Sequence, residues 1–437
     1  MDGTEISSQC QPEERLSITR QLGHRRWTIC AFLFAATSIN YMDRQVIAIL
    51  KPMLQQSIGM TEVNYGYIVV SFQIAYALGL LAAGRFVDKV GTRIGYIVVM
   101  ATWSLAAMGH ALANTVLQFG VARFLLGVGE SGNFPAAIKV VAEWFPQNER
   151  ALAIGIFNSG VNLGAILAPL IVPLIALHFG WHAPFLVTGG FSAIWILLWF
   201  LNYREIPETT TAERLVAGAD ISHGRAEINA SISWIQLLGY RQTWAFALGK
   251  FLTDPIWWFY LFWLPSYFST RFHLDLSHLG LPLILIYNAS TIGSVAGGWL
   301  PGILQRSGLS TSGARLTAMT VCAFLVVPVV GVNYMHSEWA AVALLSLATG
   351  AHCGWSANLF STPSDMFPRA NVGSVTGIGG MAGSVGAVLL SASAGYILQF
   401  THSYASLFVV AAGAYPIALV SILLLAPGLK KAVPRAI

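Results

Sequence analysis

Gly84-Arg85-Phe86-Val87-Asp88-Lys89-Val90-Gly91-Thr92-Arg93 puts three cations, one carboxylate and two glycines into ten residues. The run falls where one apolar stretch, 64–86, gives out and the next, 94–113, begins, so it reads as a short polar turn between two long helices. Gly84 permits close helix approach, Gly91 permits the tight turn, and Asp88 can pair with a cationic neighbour or a helix N-terminus. With Lys89 and Arg93 beside it, the cluster can latch one arrangement of the helices it joins.

Outward from this turn the chain is apolar almost throughout. Hydrophobic residues make up 55% of the 437 residues and charged ones 10%, far below the roughly 25% charged residues of a soluble domain. A bilayer-spanning helix needs about 20 largely apolar residues. Such stretches fall near 27–50, 64–86, 94–113, 115–139, 152–175, 182–202, 243–268, 278–301, 315–334, 339–362, 372–397 and 403–426. The expected fold class is therefore an all-α membrane protein of twelve transmembrane helices. Several stretches contain Gly and Pro, which bilayer helices tolerate because neighbouring helices and side chains satisfy the freed backbone groups. The first is too long for a signal peptide and lacks a small-residue cleavage pattern. Cys10, Cys30, Cys322 and Cys353 lie far apart with no paired spacing and read as free thiols.

Loop charge sets the orientation. Arg15, Arg20, Arg25, Arg26, Arg85, Lys89, Arg93, Lys139, Arg150, Arg204, Arg214, Arg225, Arg241, Arg306, Arg315, Arg369, Lys430, Lys431 and Arg435 fall on one side, and Lys51 and Arg271 on the other. Positive loops stay in the cytoplasm, so both termini are expected inside. The net charge of +5 is then a topological signal, and no nucleic-acid partner is expected. The longest polar connection divides two six-helix bundles, giving a tail at 1–26, bundles at 27–202 and 242–427, a cytoplasmic linker at 203–241 and a C-terminal tail at 428–437. Transporters are commonly built from such repeats, with the substrate site at their interface near the midplane.

Six ionisable residues lie inside predicted helices: Asp43, Arg44, Arg123, Glu130, Lys250 and Asp254. Each charge at the bilayer centre costs about 2.5–3.5 kcal/mol on insertion scales, so each needs a partner or marks a pathway. Arg123 and Glu130, seven residues apart, share a helix face within about 20° but stand roughly 10 Å apart along the axis. They cannot touch; either they line one cavity, a cation for an anion and a carboxyl for a proton, or both pair with charges on other helices. Asp43 can titrate or can neutralise Arg44 or Arg123. Lys250 and Asp254, four apart, can form an intrahelical pair or contact a ligand. Trp257, Trp258, Tyr260 and Trp263 read mostly as packing or interfacial anchors. Trp355, close to His352, Ser356 and Asn358, is a candidate platform for a sugar.

The run 84–93 matches the G-x-x-x-D-[RK]-x-G-x-[RK] signature of the major facilitator superfamily. At the equivalent place in the second half, Gly298-Trp299-Leu300-Pro301-Gly302-Ile303 has glycine where the acid is expected. Asn40-Tyr41-Met42-Asp43-Arg44-Gln45, the run Arg123 to Pro135 and Glu143-Trp144-Phe145-Pro146-Gln147-Asn148-Glu149-Arg150 resemble the anion:cation symporter family. Within it, the runs 241–244, 251–265, 355–359 and 373–384 resemble hexuronate transporters. The resemblance implies proton coupling at Asp43 and Glu130, and substrate contacts at or near Tyr41, Arg44, Tyr76, Arg123, Lys250, His352, Trp355, Asn358 and Ser384. It implies a gating motif at Gly84, Asp88, Lys89, Gly91 and Arg93. Related hexuronate carriers have Arg where this chain has Lys250, and Lys lacks the planar bidentate fork. Val161 is apolar where aldonate-carrying relatives use an amide, which favours uronates.

The expectation is a proton-coupled symporter of a hexuronate such as glucuronate or galacturonate, monomeric, in the plasma membrane (the bacterial inner membrane by resemblance), in contact with lipid. No cofactor, metal or enzymatic activity is expected, for there is neither a P-loop nor a metal-ligand cluster. The rivals are a carrier of another organic anion (aldonate, aldarate or aromatic acid) and a non-transporting membrane sensor, for which the tails are short by ordinary domain sizes.

Overall fold

Apolar runs of this length, with few charges to interrupt them, satisfy their backbone groups within helices. The computed structural model describes residues 12–145, 147–203 and 234–432, and among these no strand occurs. In chain order the helices are α1 (Pro12–Ile58), α2 (Glu62–Val90), α3 (Thr92–Gly109), α4 (Val116–Glu130), α5 (Asn133–Trp144), α6 (Gln147–Phe179) and α7 (His182–Asn202). Then come the single turn α8 (Trp234–Leu237), α9 (Arg241–Phe272), α10 (Gly280–Arg306), α11 (Thr311–Val326), α12 (Glu338–Met366), α13 (Arg369–Thr401) and α14 (Ala405–Leu425). Among the described residues, nine helices are long and apolar enough to cross a membrane. Large apolar side chains such as Leu105, Leu117, Leu197, Ile292, Phe324 and Leu424 are exposed, whereas Arg44, Arg123, Glu130 and Lys51 are buried. That reverses the distribution of a water-soluble fold. Most of the linker, 204–233, with Cys10 and Arg435, lies outside the described residues, as do the side chains of Arg15 and Arg20 on α1; Cys30, Cys322 and Cys353 are free thiols.

The stretch 115–139, expected as one helix, is broken between α4 and α5. Its turn is tight: the Gly132 N–H bonds the Gly129 carbonyl at 3.2 Å, and the Ser131 hydroxyl donates to the Val128 carbonyl at 2.7 Å. Glycine is required here because α3 runs hard against the break. A Cβ on Gly129 would stand 2.5 Å from the Trp103 backbone nitrogen, and one on Gly132 2.5 Å from Val99 Cγ2. The break places Glu130 on the last residue of α4.

In the first half of the chain α1 packs on α6, α2 on α4 and α3 on α7; in the second half α10 packs on α12, and α9 on both α13 and α14. The halves meet through α2 on α13, α6 on α10 and α1 on α9. These contacts are tight at the charge-poor end. The Glu62 N–H donates to Gln399 Oε1 at 3.1 Å, the Tyr65 hydroxyl donates to the Phe262 carbonyl at 2.9 Å, and the Tyr67 and Tyr396 hydroxyls meet. A Cβ on Gly66 would lie 3.2 Å from the Gly395 Cα, so the two backbones touch. Behind this seam Lys51 Nζ pairs with Glu62 Oε2 at 2.7 Å and sits over the Tyr65 ring at 4.6 Å. Burial of Lys51 is thus matched by a carboxylate and a π face.

Candidate functional site

Polar side chains on adjacent helices converge where α1, α2, α4 and α9 meet. Arg44, on α1, carries the centre. Its Nε and Nη2 donate to Glu130 Oε2 at 2.9 and 2.7 Å, and Nη2 also reaches Asn40 Oδ1 at 3.3 Å. Both partners are buried, at 1% and 0% exposure. A buried pair of this kind is held by charge-assisted bonds, and removing one partner strands the other, at a cost of about 3–5 kcal/mol. Four rings surround the guanidinium: its carbon lies 4.5 Å from the centre of Tyr41, 5.1 Å from Phe72, 4.9 Å from Tyr76 and 5.0 Å from Trp258. Their negative faces stabilise a cation held out of water.

Arg123 and Glu130 do not bond to each other, as their separation along α4 requires, but both reach Arg44. Arg123 Nη2 donates to the Arg44 backbone carbonyl at 2.5 Å, and its guanidinium lies 5.3 and 5.8 Å from the Phe72 and Phe262 rings. Its Nε and Nη1 are buried with no hydrogen-bond partner among the described residues. Asp43 pairs with neither arginine. Both of its carboxylate oxygens are buried without a hydrogen bond among the described residues, and the polar group beside it is the Thr188 hydroxyl on α7. Of the alternatives open from sequence, Glu130 has a charged partner on another helix and Asp43 has none. Two guanidinium nitrogens of Arg123, one carboxylate oxygen of Glu130 and both of Asp43 stay available. The arrangement can bind an anion and exchange protons.

In the second half Lys250 pairs with Asp254 at 2.6 Å, one turn along α9, and its ammonium lies 3.8 Å from the centre of the Phe360 ring. His352 Nδ1 is 2.6 Å from the Tyr415 hydroxyl, and Trp257 stacks on the imidazole at 5.3 Å. Trp355 is fully buried, lies edge-on to Tyr415 at 5.7 Å, and its Nε1 has no partner among the described residues. Asn358 is a packing tie: its Nδ2 donates to the Gly297 and Gly354 carbonyls at 2.7 and 2.9 Å, joining α10 to α12. Only its Oδ1 lacks a partner among the described residues. Ser384 donates one turn back to the Gly380 carbonyl at 3.0 Å. Among the described residues no group of three or more His, Cys, Asp or Glu could hold a metal ion.

Gly91, at the turn between α2 and α3, has φ 86° and ψ 162°, a region essentially confined to glycine. Arg93 donates to the Phe200 carbonyl at 2.9 Å and sits over its ring at 4.9 Å, so it is anchored on α7, within the same half of the chain. Lys89 is exposed. Gly84 lies in the last two turns of α2, and the Asp88 side chain is outside the described residues.

Phe72, Trp258, Phe262, Asn40 and Thr188 also build the site, and sequence reasoning did not single them out as functional. The run 257–263 is so rich in aromatics that spacing alone does not say which ring points to the centre. Trp258 lies eight residues from Lys250, which on a helix is about 80° around and roughly 12 Å along the axis. Its position over Arg44 is set by how α9 is rotated against α1.

The hexuronate transporter of Escherichia coli is 29% identical to this chain over 400 residues, covering 90% of the chain and 92% of its own length. A D-galactonate transporter from another Escherichia coli strain is 29% identical over 392 residues, covering 86% and 90%. Among solved structures, a D-xylose-proton symporter superposes with a TM-score of 0.72 at 15% identity, covering 93% of this chain and 99% of its own. The profile of the Major Facilitator Superfamily matches residues 33–391, a span that contains Arg44, Arg123, Glu130, Lys250 and Trp355. The chain belongs to the Major Facilitator Superfamily and is an integral membrane transporter rather than an enzyme.

Proposed function

We propose that this transporter carries a hexuronate sugar acid into the cell together with protons. The observation that carries the reading is the buried Arg44–Glu130 pair, 2.7 Å apart, with Arg123 offering unused N–H groups and Asp43 holding an unbonded carboxyl beside it. A site that must take up an anion and let protons come and go needs these groups: cations to receive the carboxylate, and carboxyls that bond only part of the time. In this scheme Glu130 and Asp43 load protons from outside. Protonated Glu130 gives up Arg44, and Arg44 and Arg123 receive the sugar carboxylate. Lys250, if it leaves Asp254, adds a second cation from the other half, and Trp355, His352 and Ser384 face the hydroxyls. A neutralised cluster costs less to bury, so the loaded site closes and reopens inward.

This reading includes twelve spanning helices with both termini cytoplasmic, two bundles at 27–202 and 242–427, and the linker 203–241 between them. The tight seam at the charge-poor end is then the closed outer side, and the turn at 84–93 works at the inner gate. The name of the hexuronate transporter supports the substrate class, and that of the proton symporter of similar fold the coupling. A second reading, symport of an aldonate, has the D-galactonate transporter's comparable identity in its favour; Val161, apolar, weighs for the uronate. Counterflow in proteoliposomes with labelled glucuronate, galacturonate, galactonate, galactarate and an aromatic acid decides between them. Exchange of galactonate but not of either uronate would overturn the first reading, and exchange of none would overturn both.

A further inference from the structure

Three of the four rings around Arg44 come from the same half of the chain as Arg44 itself: Tyr41, on its own helix, and Phe72 and Tyr76 on α2. The fourth, Trp258, comes from α9, in the other half. Its ring centre is 5.0 Å from the Arg44 guanidinium carbon. It packs against Tyr76 at 6.3 Å, Phe72 at 6.2 Å and Phe262 at 5.6 Å. The neighbouring contacts that cross between the halves, Tyr65 on the Phe262 carbonyl and Tyr65 against Trp263 at 5.5 Å, belong to the closed seam. Trp258 therefore reaches Arg44 through the same docking of α9 that closes the charge-poor end.

We infer that Trp258 is a positioning residue that ties proton release to closure: docked over Arg44, it holds the guanidinium fork against Glu130, the arrangement in which Glu130 carries no proton. The inference rests on the symport reading above. The physics is that of a cation with two competing neighbours. A guanidinium free to turn can leave Glu130 and let it keep a proton. One whose open face is covered by an indole has lost that freedom, and its Nε and Nη2 stay aimed at Oε2. Because indole is neutral, it can fix Arg44 without offering a rival for the proton. Among the described residues, the charged and titratable groups around Glu130 are Arg44, Asp43 and Tyr41 from α1, Tyr76 from α2 and Arg123 from α4. All belong to the first half, so the second half acts on this cluster through uncharged rings, Trp258 on Arg44 and Phe262 on Arg123. When α9 moves away with the opening of the outer side, the lid lifts and Glu130 can be protonated from that side.

The test compares the full-length protein with Trp258→Leu and Trp258→Phe in proteoliposomes. The quantity read is the ratio of pH-gradient-driven uptake to counterflow at equal pH for one labelled hexuronate. Counterflow reports a folded, binding carrier without net proton movement, so a fault in folding or binding alone lowers both rates and leaves the ratio in place. Loss of one desolvated cation–π contact corresponds to roughly a two- to thirty-fold change. Trp258→Leu should lower the ratio within that range, and Trp258→Phe, which keeps a ring face, should restore most of it. A ratio unchanged in Trp258→Leu, or one lowered equally by Leu and Phe, would overturn the inference. Failure of the unsubstituted protein to accumulate any sugar acid under the gradient would instead remove the transport reading and the inference with it.

Discussion

Glu130→Gln is the most informative single change. Glutamine keeps the size of the side chain and one acceptor oxygen, so the Arg44 fork still finds a partner at the distances now occupied by Oε2, 2.9 and 2.7 Å. The two bonds stay charge-assisted through the guanidinium, and the cost is the lost counter-charge alone. That is less than the penalty of about 3–5 kcal/mol for leaving a buried ion without a partner, and the four rings around the guanidinium offset part of it. The variant should therefore fold and still exchange substrate for substrate. What it loses is a group that can gain and release a proton. For each proton carried with the anion, a pH unit across the membrane drives about a tenfold accumulation. Purified protein in liposomes with an alkaline interior should show at least that ratio for the unsubstituted chain and at least about tenfold less per pH unit for Glu130→Gln, with counterflow surviving. Gradient-driven accumulation by the variant equal to that of the parent would remove Glu130 from coupling.

Arg123→Ala should abolish measurable binding of the sugar acid by removing the cation with two uncommitted guanidinium nitrogens in the cluster; unaltered affinity in a calorimetric titration would show that the carboxylate docks elsewhere. Gly66→Leu puts a side chain where the Gly395 backbone already stands 3.2 Å from a Cβ and should hold the seam apart and slow turnover; uptake equal to that of the parent would mean the seam does not close during transport. Gly91→Ala forces a side chain into φ 86° and should cost about 1–3 kcal/mol, seen as a lower thermal midpoint of the detergent-solubilised protein. An unshifted midpoint would show that the turn relaxes without strain.

Much of this protein is legible one residue at a time. A composition of 55% hydrophobic and 10% charged residues leaves no polar surface for water, and the apolar stretches place the long helices. The turn at 84–93 points to the superfamily, and the few charges inside apolar runs mark the site because each is too costly to stand there idle. Helical periodicity also established that Arg123 and Glu130 share a face and cannot meet.

Tertiary structure alone decided which groups do meet. Glu130 bonds Arg44, 86 positions away in sequence; Asp43, next to Arg44, bonds neither arginine; Asn358 is spent on two carbonyls between α10 and α12; and Trp258, rather than its aromatic neighbours, covers the guanidinium. The α4 break appears only once α3 is packed against Gly129 and Gly132. The physical reason is common to all of these. Sequence spacing fixes the angle of a side chain on its own helix, but the rotation, tilt and separation of one helix against another come from packing along their whole lengths, so a pairing across helices exists only after the bundle has assembled.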